Sequence, residues 1–221
     1  MSDPKTPAHS HVGPTENSRG GGPAAANEAT QSLLELHIHE LLYALGEDPD
    51  RGGLHETPRR VVEAWKFWTS GYGKDPALVL KTFDDGAENY DELICQGNIP
   101  IYSCCEHHMA PFFGVAHIGY IPDKRIVGLS KMSRVSDIFA RRLQVQERLT
   151  QQIAEAINEH LKPKAVGVVL RCRHMCMESR GIQKPGTITY TSALLGSFKT
   201  HGDARSEFLR FVESCDAKTN P

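Results

Sequence analysis

Ala165-Val166-Gly167-Val168-Val169-Leu170-Arg171-Cys172-Arg173-His174-Met175 decides the fold. The run is β-branched, partly alternating and free of proline, and it predicts a strand. Gly114 to Pro122 upstream and Thr187 to Ser192 downstream share that texture and predict two more. Ile99 and Ile101 fall on a further strand just before Cys105. Between the first two runs, Ser130 to Leu161 is helical in pattern. Val135, Ile138 and Phe139 mark one stretch and Val145, Leu149, Ile153 and Ile157 the next, which predicts two consecutive helices with a break near Leu143. Strand, strand, helix pair, strand, strand is an α+β order with exposed sheet edges.

Further out, Leu33, Leu34, Leu36, Ile38, Leu41, Leu42 and Leu45 keep helical spacing up to Gly46, a residue suited to end a helix. Thr57-Pro58 reads as an N-cap followed by proline at the first helical position, ahead of Val61, Val62, Trp65 and Trp68. A third helix is expected around Asp75 to Thr82. This helical unit cannot bury its apolar face without the rest of the chain or another subunit. The first thirty residues lack large apolar side chains and predict a disordered tail. No internal repeat or sustained heptad is present.

The chain has 221 residues, 39% hydrophobic content and a formal net charge of -2. Its length accommodates one substantial core. No segment approaches the roughly 20 apolar residues of a membrane span, and the beginning lacks a secretory pattern, so a cytoplasmic location is expected. The charge offers no global attraction to nucleic acid. In a reducing compartment the six cysteines are better suited to metal or catalysis than to disulfides.

Ser103-Cys104-Cys105-Glu106-His107-His108-Met109 and His174-Met175-Cys176 carry the chemistry. Zinc takes thiolate and imidazole ligands, and a catalytic zinc keeps three protein ligands with one open position. Cys105, His108 and Cys176 would supply the three. A closed structural site needs a fourth, for which Cys104, Cys172 or His107 can be nominated. In an extended segment Cys104 points away from Cys105, and Cys172 would sit roughly 13 Å from Cys176 at about 3.3 Å per residue. The open site therefore leads. Two thiolates cancel the charge of Zn2+ and leave its water less acidic than three imidazoles do, so a neighbouring base is valuable. His107 beside a ligand, and His174 on the strand face shared with Cys176, are the candidates, with ligand orientation as the alternative role.

Cys105-Glu106-His107-His108, Gly128-Leu129-Ser130-Lys131, Gln144-Val145-Gln146-Glu147-Arg148-Leu149-Thr150 and His174-Met175-Cys176 together resemble GTP cyclohydrolase I. The likeness runs in order from about Leu33 to Phe211. It takes in Gly46-Glu47-Asp48-Pro49 and Leu54 with Thr57-Pro58-Arg59-Arg60-Val61.

The resemblance implies zinc-dependent hydrolysis of GTP to 7,8-dihydroneopterin triphosphate and formate, the first step toward folate-type or biopterin-type cofactors. It implies Cys105, His108 and Cys176 as metal ligands and His107 and His174 as catalytic groups. Glu147, with Gln146 alongside, would select guanine, since a carboxylate accepts from N1–H and the exocyclic amine together. Ser130 and Lys131 at a helix start, with Arg134 and Arg180, would hold the triphosphate. It also implies a tunnelling fold, an antiparallel sheet with two helices on one face whose subunits join sheets into rings. Two stacked five-membered rings make a homodecamer, with sites at subunit boundaries. The expected organisation is a tail over 1–30, a helical region over 31–92, the tunnelling-fold catalytic domain over 93–214 and a C-terminal tail over 215–221. GTP and further copies of the chain are the expected partners, with a regulatory protein as a candidate and neither nucleic acid nor membrane among them.

The chain departs from the family pattern at Gly53, at Pro100, and at Glu178-Ser179, where apolar residues are usual. Two rival readings remain: a noncatalytic zinc module with four ligands, and another tunnelling-fold enzyme using Cys104 or Cys105 as a nucleophile.

Overall fold

The computed structural model describes residues 28–83 and 89–219. The expected tail therefore lies outside the described residues as far as position 27, but Glu28 to Thr30 are already helical. Helix α1 spans Glu28–Ala44. Glu28 complements the positive end of the helix dipole, and Ser32 Oγ donates to its carbonyl at 2.9 Å. The helix stops at Gly46, whose φ of 87° suits a residue without Cβ. Glu47 N–H reaches Leu42 O at 3.1 Å and Gly46 N–H reaches Tyr43 O at 2.9 Å, the paired bonds of a Schellman stop.

Helix α2 is Thr57–Trp68, and Glu56 rather than Thr57 is its cap residue. Arg59 explains the one-residue difference: it donates to Glu56 at 2.6 Å and to Glu63 at 2.9 Å, tying the cap to the first turns. α1 and α2 pack on each other. A single turn, α3 (Pro76–Val79), is capped by Asp75, which accepts from Ala77 N–H at 2.9 Å. Strand β1 (Thr82–Phe83) pairs with β4 (Ile126–Val127).

The main sheet is built on the hairpin of β2 (Ile94–Cys105) and β3 (Pro111–Ile121). After it come α4 (Ser130–Ala140), β5 (Leu143–Gln144), α5 (Gln146–Leu161), β6 (Ala165–His174), α6 (Met175–Glu178) and β7 (Thr189–Gly196). The strand order is β5-β2-β3-β6-β7. Every pairing is antiparallel except the short parallel contact of β5 with Cys104 and Cys105. Beyond that contact β2 is an edge, where Pro100 costs the ladder little.

The two faces of β6 explain its nearly unbroken apolar run. Val166, Val168, Leu170 and Cys172 enter the core beneath α4 and α5, together with Val135, Leu149, Ile153 and Ile157. Ala165 and Val169 face the other way, toward Phe198, Phe208 and Val212. Those last residues belong to α7 (Ser197–Thr200) and α8 (Gly202–Thr219). The sheet thus carries helices on both faces, and the boundary expected at 214 falls inside α8. Phe208 seats in a slot made by the register pair Gly119 and Gly167. A Cβ on either would lie 2.7 or 2.5 Å from its ring.

Candidate metal centre

The register of β3 with β6 sets Phe112 opposite His174, and that of β2 with β3 sets Cys104 opposite Pro111. The C-terminal ends of β2 and β6 therefore meet at one end of the sheet. Between β2 and β3 the chain makes a tight turn. Cys105 N–H donates to Ala110 O at 2.8 Å, Met109 N–H donates to Cys105 O at 2.8 Å, and Met109 has a φ of 52°. The turn brings Cys105 Sγ and His108 Nδ1 to 3.8 Å.

Cys176 joins them from α6, and the three ligand atoms lie within 4.8 Å of one another. A tetrahedral zinc with Zn–S near 2.3 Å and Zn–N near 2.0 Å requires an S···N separation of about 3.6 Å, so these residues fit that ion. Two expectations about this end of β6 change. Cys176 is not on the strand but on the helical turn after it, because β6 ends at His174. Strand parity therefore does not relate it to His174 or to Cys172.

The thiol environments separate the six cysteines, all of them among the described residues and none in a disulfide. Burial raises the Cys104 pKa, with the neighbouring Cys105 adding to the effect. Burial pushes Cys172 up to about 12. The Cys176 thiol is also raised, first by burial and then by Cys105 beside it, while the charge of Arg180 pulls it down. A thiol whose ionisation is opposed by burial and by a neighbouring thiol is what a divalent cation relieves.

Around the cluster, His107 is exposed, its Nε2 3.8 Å from Glu106. Glu106 forms a short ion pair with Arg148 of α5, and its N–H donates to Gln144 O at 3.0 Å. Arg148 Nε donates in turn to Gln144 Oε1 at 3.1 Å. The turn that carries Cys105 and His108 is thus fastened to the start of α5. Glu106 and Arg148 lie within the motifs, yet residue type alone does not reveal this link.

His174 Nε2 lies 2.7 Å from Gln146 Oε1. Its ring stacks on Phe112 with centroids 4.7 Å apart and planes 8° from parallel. Only the strand register identifies Phe112 as a site residue. Burial lowers the His174 pKa, against the pull of the Glu147 and Glu178 charges. Glu147 is exposed in the first turn of α5 and Arg180 is exposed just past α6. Gln146 differs from its expected placement beside the substrate: it is 1% exposed, and its amide is directed inward.

Ser130, Lys131 and Arg134 are not brought to this cluster within the chain. They occupy the first turns of α4, whose far end adjoins β5 and Cys104. The 11 residues of that helix rise roughly 16 Å. The start of α4 also lacks the free donor expected at Lys131, whose N–H is bonded to Gly128 O at 2.8 Å.

No described helix is long and apolar enough to cross a membrane. The sequence pattern of the family GTP cyclohydrolase I matches residues 34–213. The chain is 64% identical over 174 residues to a protein named GTP cyclohydrolase 1 from Nitrosospira multiformis, covering 79% of this chain and 91% of that one. It is 52% identical over 192 residues to the protein of that name from Corynebacterium glutamicum, covering 86% and 96%. Among solved structures, the archaeosine synthase QueF-Like in its apo form overlaps 47% of this chain and 93% of its own. Its TM-score of 0.38 and identity of 17% are too low to define a shared fold.

Proposed function

The chain belongs to the GTP cyclohydrolase I family, and from that premise we propose that it hydrolyses GTP to 7,8-dihydroneopterin triphosphate and formate in pterin biosynthesis. The observation that carries this reading is the convergence of Cys105, His108 and Cys176, with ligand atoms within 4.8 Å, beside His174 and the start of α5. Zn2+ bound by those three residues supplies Lewis-acid polarisation and an activated water for two hydrolytic attacks, at purine C8 and at the resulting formyl group.

The remaining work falls to side chains. His107 is exposed and free to give a proton to the purine nitrogen released as the five-membered ring opens. His174, whose pKa burial lowers, exchanges protons during ring opening or ribose rearrangement. Glu147 accepts from guanine N1–H and the 2-amino group, a pair adenine does not offer. Arg180 takes triphosphate oxygens through its planar donor fork.

Ser130, Lys131 and Arg134 join the triphosphate seat from a neighbouring copy, since one chain holds them at the far end of α4. Open edges on β2 and β7 and exposed Leu33, Leu36, Leu41 and Phe67 on the helical unit favour such an assembly. The proposed form is the tunnelling-fold homodecamer of two stacked pentamers, in a cytosol that keeps the six thiols reduced.

The rival nucleophile reading is disfavoured at Cys104, where burial opposes ionisation of the thiol, and at Cys105, whose sulfur belongs to the ligand cluster. The deciding experiment measures formate release and pterin fluorescence from GTP, with and without a chelator. Turnover that ignores complete zinc removal overturns the reading, as does zinc-loaded protein that leaves GTP intact.

A further inference from the structure

We propose that Gln146 is a positioning residue that fixes which nitrogen of His174 carries the hydrogen, not a residue that contacts substrate. The inference rests on the reading of His174 as a proton-transfer group.

Gln146 Nε2 faces three oxygens at once: Leu170 O at 3.3 Å, Thr189 O at 3.0 Å and Thr191 Oγ1 at 3.0 Å. Two of these are backbone carbonyls, which only accept, so the amide cannot be turned over without setting its oxygen against them. Oε1 is thereby directed to His174 Nε2 at 2.7 Å. An amide oxygen only accepts, so Nε2 must be the nitrogen that donates. In the neutral ring the lone pair then resides on Nδ1.

The neighbouring hydroxyls close the network consistently. Thr150 Oγ1 donates to Gln146 O at 2.7 Å, which leaves Thr191 Oγ1 to donate to Thr150 Oγ1 at 2.6 Å. Thr191 Oγ1 is then free to accept from Gln146 Nε2. Every donor in the circuit has an acceptor. Strands β6 and β7, helix α5 and His174 all contribute, so the tautomer is set by the tertiary fold. Phe112 stacked on the imidazole fixes its plane, and Gln146 fixes its rotation within that plane. Nδ1 is therefore the atom with which His174 exchanges protons with the bound substrate.

Two measurements test this. Neutron crystallography of the unsubstituted zinc-loaded protein at about pH 8.5, where an ordinary imidazole is neutral, is expected to place deuterium on Nε2 of His174. Deuterium on Nδ1 with Nε2 bare overturns the inference without reference to turnover. Gln146→Met keeps the length of the side chain and removes its amide. Its kcat is expected to fall roughly a hundredfold, in the lower range for a positioned acid–base group, with KM for GTP within about twofold and zinc content unchanged. A raised KM with intact kcat means that Gln146 binds substrate and overturns the proposal.

Thr191→Val provides a second variant if Gln146→Met fails to fold. It removes one acceptor, and the same selective loss of kcat is expected in smaller measure, while unchanged kcat counts against the proposal. Failure of the unsubstituted protein to hydrolyse GTP sinks the proposed function instead, and the deuterium position still decides the tautomer.

Discussion

Glu178 holds Arg173 in a two-pronged ion pair, with Oε1 2.9 Å from Nε and Oε2 2.5 Å from Nη2. The pair links the turn that carries Cys176 back to β6, and Arg173 lies over the Phe113 ring. The family resemblance leads one to expect an apolar residue at Glu178, and in this chain the turn that carries Cys176 is anchored by charge instead. Glu178→Met is expected to weaken zinc retention by about tenfold, the low end for a residue that orients a ligand. Chelator-driven zinc release checks this. The unfolding midpoint should move little, because the Arg173 side chain is 46% exposed and water can replace the lost carboxylate, and unchanged release kinetics would remove the assigned role.

Cys176→Ser and His107→Ser should fail in different ways. Loss of a thiolate ligand is expected to abolish both zinc binding and turnover. Loss of the exposed imidazole should leave zinc stoichiometric while turnover drops by roughly 10²- to 10⁴-fold. Metal analysis beside a formate assay separates the two, and an active Cys176→Ser protein would contradict the ligand set.

Glu147→Ala is expected to reduce the preference for GTP over ATP by at least about tenfold, since one lost hydrogen-bonded pair to a charged group is worth more than 1.4 kcal/mol. Competition between the two nucleotides gives the ratio. Unchanged discrimination rejects the role.

Acid should weaken the fold through His117. This imidazole is buried, its Nδ1 accepting from Asn98 N–H at 3.4 Å and its Nε2 lying 3.4 Å from Asp216. Burial lowers its pKa below the ordinary 6.5 and Arg171 adds to that, while Asp216 opposes both. As pH falls below about 6.5, the unfolded chain takes up a proton that the folded chain refuses. Stability then declines until the lowered folded value is passed. Urea midpoints between pH 7.5 and 5.5 should show this slope, and His117→Gln should flatten it.

Gly167→Ala sets a methyl group against Phe208, 2.5 Å from the nearest ring carbon. The expected cost is about 1–3 kcal/mol, as for other overpacked cores. Phe208→Leu should recover part of it in a double-mutant cycle. Additive losses would place the strain elsewhere.

Much of this was legible in the chain itself. The helix pair around Leu143, the strand of Ala165 to His174 and the three residues of the Cys-His-Cys cluster follow from periodicity and spacing, which are local signals. The C-terminal helix was not anticipated, because Phe208 and Val212 acquire meaning only against the slot formed by Gly119 and Gly167. Parity on β6 failed at Cys176 because the strand turns helical one residue earlier. Gln146 reads as a substrate contact because residue type does not show which polar groups the fold covers. The separation of Ser130 from the metal cluster depends on the direction in which α4 runs across the sheet.

Cys176 reaches Cys105 only after β6 has docked along β3, with Phe112 opposite His174. A partly made chain, or one that has slipped by a residue, leaves its sulfurs apart and captures an ion weakly. Tight capture of a metal by this cluster would thus act as a checkpoint on assembly, and zinc stoichiometry in a preparation would report how many molecules have completed the sheet.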